Sequence, residues 1–159
     1  MNIEIRFLNQ KNRHSEDSDL KFACGAFCIK YWHWHSGRED YTTVNQEEAI
    51  LEVYNRIKFG SIGEKFGIKP HWGNPFMICR ESGGTFFFNK QDKFISPLVD
   101  VMYEKVKDVQ IVEKELTLDI GQYAILLLRS EQNPQHYTLL HRKNDGYYIH
   151  TQVRLNHYF

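Results

Sequence analysis

The stretch from Ala23 to His35 constrains this chain most. Cys24, Phe27, Cys28 and Tyr31 recur at i, i+3, i+4 and i+7, the spacing of one helix face. Ala26, Ile29, Trp32 and Trp34 occupy the other faces, so the predicted helix is apolar nearly all round. Such a helix has no side to offer to water and must run through the centre of a domain. The rest of the 159 residues must cover it, and a chain of that length buries roughly 70% of its extended surface in one domain. No repeat, low-complexity tract or Pro/Gly/Ser linker interrupts it, so one domain over residues 1–159 is expected.

The flanking segments are read from periodicity and punctuation. Residues 3–8 alternate as a short strand would, and residues 9–19 form a polar loop. The pattern Thr43-x-x-Gln46 predicts a capping box opening a second helix, with Ile50, Val53, Tyr54 and Ile57 as its apolar stripe. Residues 60–75, rich in Gly and Pro, read as a loop with one helical turn near 62–66, and Phe76–Cys79 is too short to assign. Ser96-Pro97 predicts the start of a third helix carrying Leu98, Val99, Met102 and Val106. Strands are expected over 110–112, 123–129, 136–143 and 147–152, with Asn144-Asp145-Gly146 turning between the last two. Helices first and an antiparallel sheet last define an α+β fold class.

Charge narrows the function. Twenty Lys+Arg balance twenty Asp+Glu, so nothing marks a nucleic-acid partner or an anionic membrane. The longest apolar run, Tyr123 to Leu128, is far too short to span a membrane, and Met-Asn-Ile-Glu-Ile-Arg carries charge where a signal peptide needs an apolar stretch. Without a phosphate-binding Gly loop or a dinucleotide fingerprint, no cofactor is expected, and the substrate is expected to be a protein met by a monomer. Three cysteines, an odd number, argue against a disulfide framework and leave at least one free thiol.

Two residues stand where thiol chemistry needs them. Cys24 falls in the first turn of the central helix, where the helix dipole and free N–H groups favour thiolate and can hold an oxyanion. Gly25 beside it would let a substrate backbone approach. His136 follows the Asn133-Pro134-Gln135 turn at the mouth of a strand, a position suited to a base for the thiol. Cys28, one turn inside the helix, reads as core, and Cys79 as structural. The competing zinc reading collects Cys24, Cys28, His33 and His35, but lacks a C-x2-C pair and points the two histidines apart on a helix. The Trp32-His33-Trp34-His35 run therefore reads as core tryptophans alternating with surface or cleft histidines. Trp72, beside His71, reads as an anchor over the core, with groove lining as the alternative.

The segment Phe22-Ala23-Cys24-Gly25-Ala26-Phe27, leading into an apolar helix, resembles the nucleophile segment of papain-like cysteine peptidases. The nearest likeness is to small bacterial bacteriocin-processing peptidase-like and secreted effector proteases. Gly121 to Leu128, His136-Tyr137-Thr138-Leu139-Leu140 and Gly146-Tyr147-Tyr148-Ile149 resemble their terminal hairpin, whose strand begins with the catalytic His. The resemblance covers the two ends of the chain and not its middle. It implies a papain-like α+β fold and a thiol-dependent hydrolase, either a cysteine peptidase or a protein-glutamine deamidase. It further implies a cytoplasmic protein or a bacterial effector or toxin secreted into a target cell. Gln152 is the favoured third member of the site and Asp145 the alternative, by their positions after His136. The family's oxyanion-hole Gln is replaced here by Ser18, between Asp17 and Asp19, so Asn9, Gln10, Asn12 or backbone would have to serve. A non-catalytic binding or adaptor protein on the same scaffold is the other class.

Overall fold

The computed structural model describes residues 19–102, 105–128 and 136–150. After a 3-10 turn at Asp19–Phe22 come helices α1 (Cys24–His35), α2 (Gln46–Ile57), α3 (Ser61–Lys65) and α4 (Pro75–Ser82). Strand β1 (Thr85–Phe88), helix α5 (Ile95–Met102) and strand β2 (Gln110–Glu113) follow. The chain then forms β3 (Tyr123–Leu128), β4 (His136–Lys143) and β5 (Gly146–His150). The class is α+β. The expected strand at 3–8, the loop beyond it and Gln152 lie outside the described residues.

α1 runs through the main core as its composition demands. Ala26, Phe27, Cys28, Ile29, Tyr31 and Trp34 are all buried, and α1 packs against α2, α4 and β4. The polar end of the helix is closed by Ser36, whose N–H reaches the Trp32 carbonyl, and by Gly37 at φ +77°. Ile50, Val53, Tyr54 and Ile57 supply the facing stripe of α2, and Tyr137 and Leu139 supply it from β4. A second core gathers Phe59, Phe76, Leu98 and Met102 beneath α4 and α5.

The sheet that supports α1 is antiparallel in the order β3-β4-β5, with Tyr123 opposite His141 and Leu139 opposite His150. Side chains alternate along β4, so Tyr137, Leu139 and His141 share the face turned to α1. β1 and β2 form a separate pair and run parallel, which corrects the expectation that the 110–112 strand joins the antiparallel sheet. The reason is topological: α5 lies between them as a crossover, and a crossover returns the chain in the same direction.

Three helix starts differ from the sequence reading. α2 is capped by Asn45, whose side chain accepts from the Glu48 N–H, and not by Thr43. Asn45-x-x-Glu48 is the spacing that stays in phase with the buried stripe. α5 starts at Ile95, ahead of Ser96-Pro97, because the Asp92 carboxylate accepts from the N–H groups of Phe94 and Ile95. The unassigned Phe76–Cys79 belongs to α4, with Asn74 as N-cap, Pro75 in the first position and Gly83 closing it at φ +75°. Among the described residues no helix is long and apolar enough to cross a membrane.

Asn74 is buried, whereas Asn45 is exposed, so a lost cap at Asn74 leaves an N–H without water as a substitute. Asn74→Ala should cost about 1–2 kcal/mol and Asn45→Ala about 0.5–1 kcal/mol in urea unfolding. The reverse order would contradict this account of α4.

Candidate functional site

Cys24 occupies the first position of α1. The preceding residue, Ala23, supplies no side-chain cap, so the first N–H groups of the helix stay uncommitted to one. The thiol faces the backbone N–H groups of Tyr137, Gly25 and Cys24 itself. The start of α1 and the start of β4 thus meet at this sulfur, although their residues are far apart in the chain. Tyr137 directly follows His136, the half-buried first residue of β4. Tyr137 anchors the junction from below, its hydroxyl donating to the Gly73 carbonyl at 2.8 Å.

Burial raises the Cys24 thiol above its ordinary pKa, against the lowering by the three N–H groups. This reverses the expectation of a ready thiolate. The N–H groups act on the charged form, but removing a sulfur anion from water costs more than they return. A resting neutral thiol needs a base at the moment of attack. Gly25 also differs from expectation: a Cβ there would lie 2.6 Å from Ile78 Cδ1 and 3.2 Å from Ile57 Cδ1. Its missing side chain lets α1 close onto α2 and α4, and does not open a path for substrate.

The remaining expected residues divide clearly. Asp145 sits in the β4–β5 turn, at the opposite end of β4 from His136, and accepts from the Tyr148 hydroxyl at 2.7 Å. It cannot orient His136. Cys28 is fully buried in the core. Cys79 is buried as well, donates to the Gly84 carbonyl at 3.2 Å, and is pushed up to about 11 by burial and by Asp108. Trp72 packs on the second core, and the His71 ring lies 4.0 Å from the ring of Phe22, just before α1. A cavity of about 990 Å³ opens beside β1 and β3 and is touched by Tyr137, but neither Cys24 nor His136 lines it.

The Cys24, Cys28, His33 and His35 set is not a ligand cluster. His33, expected on the surface or in a cleft, is buried, with Nε2 3.1 Å from the Ser82 carbonyl and Nδ1 3.3 Å from Glu39. His35 instead meets two histidines that sequence reasoning passed over. His35, His141 and His150 bring ring nitrogens within 4.8 Å of one another. The Tyr123 ring stacks on His141 at 3.9 Å, and its hydroxyl lies 2.5 Å from His35 Nδ1. His141 Nδ1 and His150 Nε2 are buried without a hydrogen bond among the described residues. The signal was present in the parity of β4, where His141 shares the face of Tyr137 and Leu139, but the partner helix end could not be read.

No protein-family model, curated protein or solved structure matches this chain.

Since the Cys24 thiol titrates above its ordinary range, alkylation by iodoacetamide should be slow at pH 7 and still short of half its maximum at pH 9.0. In urea the same residue should reach half-maximal rate near pH 8.5. Peptide-mapped labelling kinetics measure both curves, and a native plateau by pH 7 would contradict the neutral resting thiol.

Proposed function

We propose that this chain is a papain-like thiol-dependent hydrolase that acts on a protein amide, with Cys24 as nucleophile and His136 as base. One observation carries the reading: the thiol at the start of α1 lies against the backbone of the residue that follows His136. An uncapped helix start against the backbone of a strand that opens with a histidine is the frame on which thiol acyl transfer can be built. The substrate bond is a peptide, an isopeptide or a glutamine side-chain amide, so cleavage and deamidation share one engine. The family resemblance adds the biological setting of a secreted bacterial effector or toxin.

In this mechanism His136 takes the Cys24 proton as sulfur attacks the carbonyl carbon. The carbonyl π electrons move to oxygen, and the free N–H groups at the start of α1 hold that oxyanion. Collapse expels the amine, or ammonia from a glutamine, with the proton returned by His136. His136 then deprotonates water, which attacks the thioester, and Cys24 leaves as thiol beside a carboxylic acid product. The neutral resting thiol makes proton transfer to His136 part of the rate-limiting step. Tyr137 points at α1, and alternation would send a pleated His136 the other way. The role therefore requires the His136 ring to turn round its end of the strand toward Cys24. Gln152 is the third group, holding the imidazole tautomer.

Desolvation of the half-buried thiol is the observation that favours the other class, a binding protein on the same scaffold with Cys24 as filler. Acyl transfer separates the two. With p-nitrophenyl acetate at pH 7.5, one acetyl group per chain should map to Cys24, after a burst of nitrophenolate. Cys24→Ala should abolish the burst, His136→Ala should slow it about 10²–10⁴-fold, and His71→Ala should leave it unchanged. Acetylation spread over lysines with no Cys24 adduct would support the binding protein.

A further inference from the structure

The cluster at the other end of α1 has no part in thiol chemistry. His35 is the last residue of α1, eleven positions from Cys24, a helical rise of about 16 Å. His141 comes from β4 and His150 from β5, on the face turned to α1. Their ring centroids lie 5.6 Å (His35–His141), 4.6 Å (His35–His150) and 5.9 Å (His141–His150) apart. Three imidazoles from three elements that converge this closely either repel one another as cations or share something.

We propose that His35, His141 and His150 bind one divalent transition-metal ion, zinc, which ties the end of α1 to the β3-β4-β5 sheet. The donor atoms all lie within 4.8 Å of each other. Tetrahedral zinc with nitrogen at about 2.0–2.1 Å wants them roughly 3.4 Å apart, so ring rotations of an ångström complete the site. Two of the rings also hold a buried nitrogen, His141 Nδ1 and His150 Nε2, that lacks a hydrogen bond among the described residues. His141 is 9% exposed, so water is a poor substitute partner. Tyr123 supplies the outer support: its ring fixes the plane of His141 and its hydroxyl fixes His35.

Chemistry selects the ion. Three neutral imidazoles without a carboxylate suit zinc, copper or nickel and not calcium or magnesium, which need oxygen. Burial first, and then the mutual proximity of the rings and Lys143, lowers the pKa of His150 to about 4 and that of His141 below its usual value. The same holds for His35, where burial is followed by Lys143. Among the described residues Lys143 is the cationic side chain that bears on all three rings, and its ammonium is drawn aside over the Tyr148 ring at 4.6 Å. The fourth coordination position is left to water.

Calorimetric titration of the full chain, first stripped with chelator, with zinc sulfate tests this site. One ion per chain should bind with micromolar or tighter affinity and raise the melting temperature. His150→Ala and His141→Gln should each weaken binding at least tenfold, while Cys24→Ala keeps one equivalent. Cobalt(II) should give the intense visible absorption of a four-coordinate site in the wild type and lose it in His150→Ala. His150 is half-buried, and circular dichroism confirms that its variant is folded, so the result does not hinge on the more buried His141. No stoichiometric uptake, uptake unchanged in folded His150→Ala, or uptake lost in Cys24→Ala would each overturn the proposal.

Discussion

Burial of α1 on most of its circumference is the constraint on which the rest of the structure depends. A helix with Phe27, Cys28, Tyr31 and Trp34 around its circumference gains its stability from being wrapped, and α2, α4 and β4 do the wrapping. Truncating one such ring, Trp34, would remove roughly 3–5 kcal/mol, a large fraction of an ordinary domain's stability. Because most of the circumference of α1 is spent on packing, its two ends are left for chemistry. The first end carries Cys24 and uncommitted N–H groups. The last end carries His35 against the sheet.

The same burial sets the character of each end. At Cys24 it overrides the electrostatic preference of a helix start for an anion, leaving a thiol that needs help to ionise. At His35 it lowers the pKa of the three clustered rings and so favours the neutral form in which imidazole is a ligand. One structural cause, removal of ionisable groups from water, thus holds back the thiol of Cys24 and lowers the pKa of the clustered histidines. β4 links the two, running from Tyr137, whose backbone faces the thiol, to His141 in the cluster.

Much of this was legible in the amino-acid order, and the failures have physical causes. α1 was readable because an all-round apolar period has one interpretation, and β3 to β5 because Asn144-Asp145-Gly146 marks their turn. α4 was missed although Asn74, Pro75 and Gly83 bracket it, since attention to apolar period discounts a short helix defined by its caps. Asn45 and not Thr43 caps α2 because two boxes overlap and only the phase of the buried stripe decides between them. The positions of Cys24 and His136 at element starts followed from local signals. The raised pKa of Cys24 did not, because desolvation depends on residues far away in sequence. The His35–His141–His150 cluster was invisible for the same reason: it is a product of the register that puts Leu139 opposite His150 and of the end point of α1.

The central claim is that the start of α1 and the start of β4 present Cys24 and His136 to one another. Disulfide trapping measures this directly, since a bridge forms only between Cα atoms about 4.4–6.8 Å apart with converging Cβ vectors. The substitution His136→Cys, made in a chain also carrying Cys28→Ser and Cys79→Ser, leaves Cys24 and the introduced thiol as the only pair. Under mild oxidation the account predicts an intramolecular bridge between positions 24 and 136, identified by peptide mapping and formed in the folded chain. A folded chain that stays reduced, or that oxidises only to dimers between molecules, would show that the two side chains diverge and would contradict the account.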